Sequence, residues 1–201
     1  MWAVDTLALD PADRVLEVGC GHGLLSAYLA LCSPERAVLG VDIDGDKIAI
    51  AQRAASHLGA DLAHLQFREI PDEDAFADGE FDAIVIADVL YLLPADRRLA
   101  LLDRCVEHLA PGGVLVLKEA DRVPRWKGAL TVGQELLATK VLRITEGDEV
   151  EFAAPSVFVD HLSAAGLEVD LRRVDRGYPH AHVLLTARRA GASGSSPRTG
   201  P

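Results

Sequence analysis

Residues 14–23, Arg-Val-Leu-Glu-Val-Gly-Cys-Gly-His-Gly, constrain the fold more than any other stretch of this chain. Val15, Leu16 and Val18 make a short apolar run with a β-branched bias, which predicts a buried strand of a parallel sheet. Gly19, Gly21 and Gly23 follow at once, and residues 24–31 read as helix. Glycine suits this junction because the chain must turn sharply and because a missing Cβ lets a ligand press against the backbone. The first turn of the following helix adds unpaired N–H groups and a partial positive charge. A nicotinamide-binding fingerprint fits poorly: its third glycine falls three residues after the second, and position 24 is Leu.

Downstream of this turn, strand and helix alternate. Residues 36–41 predict a second strand, ending Gly40-Val41-Asp42. Residues 44–58 predict a helix capped by Asp44, with Ile48, Ala51, Ala55 and Leu58 on one face. Residues 62–68 predict a third strand, and 71–80 an acidic turn region reversing at Asp78-Gly79. The nearly unbroken apolar run 81–87 predicts a central fourth strand. Pro94 starts a helix to about Leu109, stopped by Ala110-Pro111-Gly112-Gly113 before a fifth strand at 114–118. Ser156 caps a further helix that Gly166 ends, and 167–174 and 182–187 are the last strands. Their link, 176–181, is too short for a crossover helix, so they pair antiparallel. Ahead of the first strand, residues 1–10 predict a short helix over the sheet, ended by Pro11.

The expected fold is therefore α/β: a seven-stranded, mostly parallel sheet with helices on both faces and the last strand antiparallel. Residues 1–189 form one domain in this reading, and 190–201, rich in Gly, Ser and Pro, a disordered tail. Residues 121–154 break the alternation, and long insertions at strand ends usually carry function. The formal net charge of −11 argues against a nucleic-acid partner, whose phosphates need a basic face. Cys20, Cys32 and Cys105 are too few and too scattered for a disulfide framework or a zinc site. No apolar run approaches the ~20 residues that span a bilayer, and no signal peptide precedes the first strand, so a cytoplasmic protein without a membrane partner is expected.

The pattern Glu17-x-Gly19-x-Gly21-x-Gly23 resembles the first motif of the class I S-adenosylmethionine (SAM)-dependent methyltransferases. Leu109-Ala110-Pro111-Gly112-Gly113 resembles the turn before that family's fifth strand. The likeness covers about residues 4–188 and implies the Rossmann-like methyltransferase fold, with SAM as methyl donor and a small-molecule acceptor. Methyl transfer from a sulfonium is a direct displacement, so alignment is the protein's main work. A catalytically silent SAM-binding partner subunit is the alternative. No metal-ligand spacing is present.

Ligands of such sheets lie beyond the carboxyl ends of the strands. A carboxylate at Asp42 can accept both ribose hydroxyls, and the family uses an acid there in that way; Ile43 is the apolar neighbour of the adenine. Glu17 resembles the family's acid near the methionine amino group. Cys20 sits within the glycine loop, as backbone contact or small filler. The third strand departs from the family's Gly-Asp, leaving Glu69 or Asp72 to substitute. Asp88 either hydrogen-bonds a ligand or caps its turn. Tyr91 either presents its ring to the sulfonium or packs under a lid. His180 is the histidine placed for acid–base work, with an exposed loop histidine as the plainer reading. The segment 121–154 is expected to be the substrate lid.

Overall fold

In a computed structural model the described residues are 1–9, 14–58, 62, 64–72, 79–120, 153–174 and 182–190. Chain order is α1 (Trp2–Ala8), β1 (Arg14–Val18), α2 (Leu24–Cys32), β2 (Ala37–Asp42), α3 (Gly45–His57), β3 (Leu65–Glu69) and β4 (Phe81–Ala87). After β4 come a 3₁₀ turn (Leu90–Leu92), α4 (Ala95–Glu107), β5 (Leu109–Ala120), α5 (Pro155–Ala164), β6 (Glu168–Arg173) and β7 (His182–Arg188). The seven strands form one sheet in the order β3-β2-β1-β4-β5-β7-β6. The first five are mutually parallel, and β7 runs antiparallel to both β5 and β6. The expected architecture, a mixed sheet covered on both faces, is the one observed. The reversal of order at β1 and β4 puts the glycine turn at the point where strand order switches, the usual ligand crevice of open α/β sheets.

Successive residues of each central strand face opposite layers. Val15, Val38, Ala83, Val85 and Val116 pack with Val4 of α1 and Leu29 of α2. Leu16, Ile84, Ile86, Leu115 and Leu117 pack with Leu101 and Leu102 of α4 and Phe158 and Leu162 of α5. Burial on both faces is why β4 reads as a nearly unbroken apolar run, with Asp82 its one polar position. The short α1 is latched to the rest by Arg36, a buried side chain. Its guanidinium donates to Asp5 Oδ1 at 2.8 Å, to Leu29 O at 2.9 Å and to Leu9 O at 3.0 Å.

Several boundaries differ from expectation. The Ala110–Gly113 stretch does not precede β5 but lies inside it: Phe81 pairs with Leu109, and the register shifts before Ala83 pairs with Val114. The extra residues form a bulge, with Gly112 at φ +81°. Pairing with a neighbouring strand decided that boundary, which glycine and proline signals alone cannot show. Ser156 is the second residue of α5 and makes no cap; Ala154 holds the cap position and Pro155 opens the helix. Gly166 does end it: at φ +85° its N–H meets Ser163 O at 3.0 Å, and Leu167 N–H meets Leu162 O at 3.1 Å. Leu58 falls just past α3 and is exposed, so the buried face of that helix is carried by Ile48 and Ala51. The 121–152 portion of the expected lid and residues 191–201 of the expected tail lie outside the described residues.

Candidate functional site

The glycine turn is held from the next strand. Gly19 N–H and Cys20 N–H both donate to Val41 O, at 2.8 and 3.0 Å, and Gly23 N–H to Cys20 O at 2.9 Å. All three glycines have positive φ: +73° at Gly19, +53° at Gly21 and +78° at Gly23. Their surroundings differ. A Cβ at Gly19 would lie 2.5 Å from Val89 Cγ2, and one at Gly23 would lie 2.4 Å from the Phe67 ring; at Gly21 there is open space within 4 Å. Gly19 and Gly23 are therefore packing positions, and Gly21 is the half-buried crest where another molecule has room to approach the backbone.

Asp42, at the end of β2, ties the crest to the sheet. Its Oδ2 accepts from Gly21 N–H at 2.7 Å and its Oδ1 from Asp44 N–H at 2.9 Å. Asp44 is the α3 cap, accepting from Asp46 and Lys47 N–H at 3.1 Å each, and these bonds hold its carboxyl below the usual range. Asp44 thus caps α3, as expected. A carboxylate has about four lone-pair sites, so Asp42 keeps acceptor capacity beyond its two amides. Ile43 beside it is 59% exposed, an apolar side chain left uncovered at the strand end. Glu69, the register partner of Asp42, sets its carboxylate against Gly45, where the α3 N-terminus favours negative charge.

Beneath the loop, Glu17 is only 4% exposed and accepts a hydrogen bond from the Ser26 hydroxyl of α2. Gly40 makes room for that hydroxyl: a Cβ there would lie 2.7 Å from Ser26 Oγ. Burial raises the Glu17 carboxyl from 4.5 to about 7, with the Asp42 charge adding to it. Burial, then the Glu17 and Asp42 charges, pushes the Cys20 thiol far up, so it stays protonated and serves as filler in the turn. Ser26 was not singled out from the sequence; its signal is a lone small polar residue on an otherwise apolar helix face.

Across the switch point, Asp88 follows β4 with a left-handed φ of 58°, the one non-glycine of that kind among the described residues. Its N–H donates to Lys118 O at 2.8 Å, and its Oδ2 pairs with Lys118 Nζ. Glu119, next on β5, is turned inward and accepts from Leu90 N–H at 3.1 Å and Val89 N–H at 3.4 Å. Burial raises Glu119 from 4.5 to about 7. Tyr91 is half-buried in the 3₁₀ turn that these bonds fix. His180 lies outside the described residues. Among the described residues no group of three or more His, Cys, Asp or Glu is arranged to hold a metal. No described helix is long and apolar enough to cross a membrane.

The two buried acids give a test of the folded arrangement. Between about pH 4.5 and 7 the native state holds protons that the unfolded chain has lost. Their stabilising contribution is therefore full below about 4.5 and gone above about 7. The melting temperature of the ligand-free protein is expected to fall as pH rises from about 5 to about 8, and Glu17→Gln with Glu119→Gln to remove most of that slope. An unchanged slope in the double variant would place the titration elsewhere.

Residues 15–113 match the model of the methyltransferase domain family. The ubiquinone biosynthesis O-methyltransferase of Psychrobacter arcticus is 29% identical over 177 residues, covering 85% of this chain and 61% of that protein. The chain spans less than two thirds of the length of the curated relatives it matches: 61%, 66% and 64% for the first three. Among solved structures, magnesium protoporphyrin IX methyltransferase from Synechocystis PCC 6803 with bound S-adenosylhomocysteine superposes with a TM-score of 0.69. That match is 23% identical, over 94% of this chain and 79% of that one. The [4+2]-cyclase SpnF superposes with a TM-score of 0.66 at 20% identity, over 94% of this chain and 79% of that one.

Proposed function

We propose that the chain is a class I SAM-dependent methyltransferase, a reading supported by the methyltransferase-domain match over residues 15–113, and that it transfers the methyl group of SAM to an oxygen of a small-molecule acceptor. The observation that carries the reading is the Asp42 carboxylate, anchored at once to the open crest at Gly21 and to the head of α3, beside exposed Ile43. This donor set fits a nucleoside: a carboxylate for the ribose diol, an apolar side chain for the base and bare backbone at Gly21. Gly19, Cys20 and Gly23 shape the turn, and Glu17 supplies negative charge toward the donor's ammonium and sulfonium. Glu69 borders the nucleoside end beside Asp42, and Asp88 and Tyr91 border the methyl end. His180 and the 121–154 segment complete the acceptor side in this reading.

When bound, SAM supplies an activated methyl carbon; the chain's part is to orient, exclude water and manage charge. A cation beside Glu17 favours its ionised form, so binding is accompanied by proton release near neutral pH. Oxygen as the accepting atom is supported by the relative's name as an O-methyltransferase. The acidic balance of the chain supports a small acceptor over nucleic acid.

Calorimetry with the purified protein tests the donor: SAM and S-adenosylhomocysteine are expected to bind and NAD not to. Release of S-adenosylhomocysteine in the presence of phenolic acceptors tests transfer. NAD binding without a SAM signal would reject the reading. Firm SAM binding with no transfer to any acceptor favours the silent-binder alternative.

A further inference from the structure

The turn after β4 gathers three charged or titratable side chains: Asp88 follows β4, Lys118 lies near the end of β5, and His182 opens β7. Because β7 is antiparallel, its first residue stands at the edge where the parallel strands finish; His182 pairs with Ala120 in register. One Asp88 oxygen grips Lys118 Nζ, and the other lies 4.0 Å from His182 Nδ1. The side chains are 22%, 42% and 23% exposed for Lys118, Asp88 and His182, so the group sits at a rim rather than in the core. Val89, next to Asp88, lies directly against the backbone of Gly19. The cluster is thus one residue from the glycine turn, on the side away from Asp42.

We propose that Lys118, held by Asp88, and the neighbouring His182 are acceptor-side groups of the methyl transfer: Lys118 steadies the acceptor oxygen as an oxyanion and His182 takes its proton. The inference rests on the methyl-transfer reading above and adds the residues and the acceptor chemistry. A hydroxyl is a poor nucleophile until its proton leaves, and an ammonium held beside it lowers its pKa. Lys118 has three N–H donors, and Asp88 engages only part of that capacity while fixing where the charge stands. An amine acceptor, itself a cation at neutral pH, would meet Lys118 as a like charge. The proton leaves the acceptor oxygen for the His182 imidazole. The freed oxygen pair forms the C–O bond as the methyl–sulfur bond breaks, its pair stays on sulfur as a thioether, and the imidazolium returns the proton to water. Folding alone does not explain the arrangement, because a left-handed Asp is held in place for an ion pair too exposed to stabilise much. Glu119, on the opposite face of β5, fixes the same turn through its amides and is not part of the acceptor side.

The probe is 4-nitrophenol, whose visible absorbance reports its ionisation, titrated into the full chain saturated with S-adenosylhomocysteine. The bound probe is expected to ionise about one pKa unit or more below the free probe. Lys118→Met is expected to abolish that depression and Lys118→Arg to keep most of it, both with S-adenosylhomocysteine affinity unchanged. In methyl transfer to a panel of phenols, His182→Gln is expected to lose about a hundredfold at pH 7. The deficit should shrink as pH rises and the phenol ionises unaided. Failure of S-adenosylhomocysteine to bind the wild type strikes the methyl-transfer reading itself. With that ligand bound, the inference is overturned by no probe ionisation, by ionisation untouched in Lys118→Met, by a His182→Gln profile parallel to the wild type, by no phenol methylated, or by alkylamines methylated in place of phenols.

Discussion

Gly23→Ala is expected to destabilise the protein by about 2–5 kcal/mol, combining the left-handed backbone cost with overpacking. At φ +78° an L side chain is disfavoured on its own account. The added methyl would also lie 2.4 Å from the Phe67 ring and 2.9 Å from Ala51 Cβ. The ring has little room to withdraw, because the same ring lies across Gly40, and Ala51 Cβ is fixed to the α3 backbone. Gly21→Ala separates the two terms. Its φ of +53° carries the backbone cost, but nothing lies within 4 Å of the new Cβ. Gly21→Ala should cost about 1–2 kcal/mol of stability while weakening SAM binding strongly, because the methyl occupies the crest. Urea unfolding and calorimetry on both variants would read the crossed pattern. Equal stability losses would mean that the turn relaxes around either methyl.

What was legible in the sequence is what depends on neighbours along the chain. Strand β4 announced itself at its observed ends because burial on both faces leaves only Asp82, near its start, as a polar position. Asp44 was legible as a cap because capping joins residues two and three apart. The glycine turn was legible because positive φ leaves a compositional mark. The contacts that turn this frame into a site join distant segments. Ser26 reaching Glu17, Lys118 gripping Asp88, and Glu119 holding the Val89 and Leu90 amides span 9, 30 and 29–30 residues of sequence. No periodicity encodes such pairs; they follow from strand order, which brings β5 beside β4 and α2 over β1. The β5 boundary failed for the same reason, since its first residue is defined by Phe81 rather than by the glycines after it.

Asp42→Ala is expected to lower SAM affinity about a hundredfold to a thousandfold, from the loss of charge-assisted hydrogen bonds at about 1.5–3 kcal/mol each. The carboxylate serves two partners within the protein, Gly21 N–H at 2.7 Å and Asp44 N–H at 2.9 Å. Alanine removes both anchors together with the acceptor for the ribose hydroxyls. The loop crest and the nucleoside contact are then lost in one step, which is why the effect should exceed that of a single missing hydrogen bond. Asp42→Asn divides these roles. Its one acceptor oxygen can hold either amide but not both, and its NH₂ meets the other as donor against donor. An intermediate loss of affinity is therefore expected, with stability reduced by about 1 kcal/mol. Asp44→Ala is the counter-experiment: it removes the α3 cap, at about 1 kcal/mol of stability, and should leave affinity near the wild-type value. Calorimetry and urea unfolding on the three variants decide the assignment. Unchanged affinity in a folded Asp42→Ala would show that the carboxylate only shapes the turn. An affinity loss in Asp44→Ala as large as that in Asp42→Ala would show that the head of α3, rather than Asp42, holds the ligand.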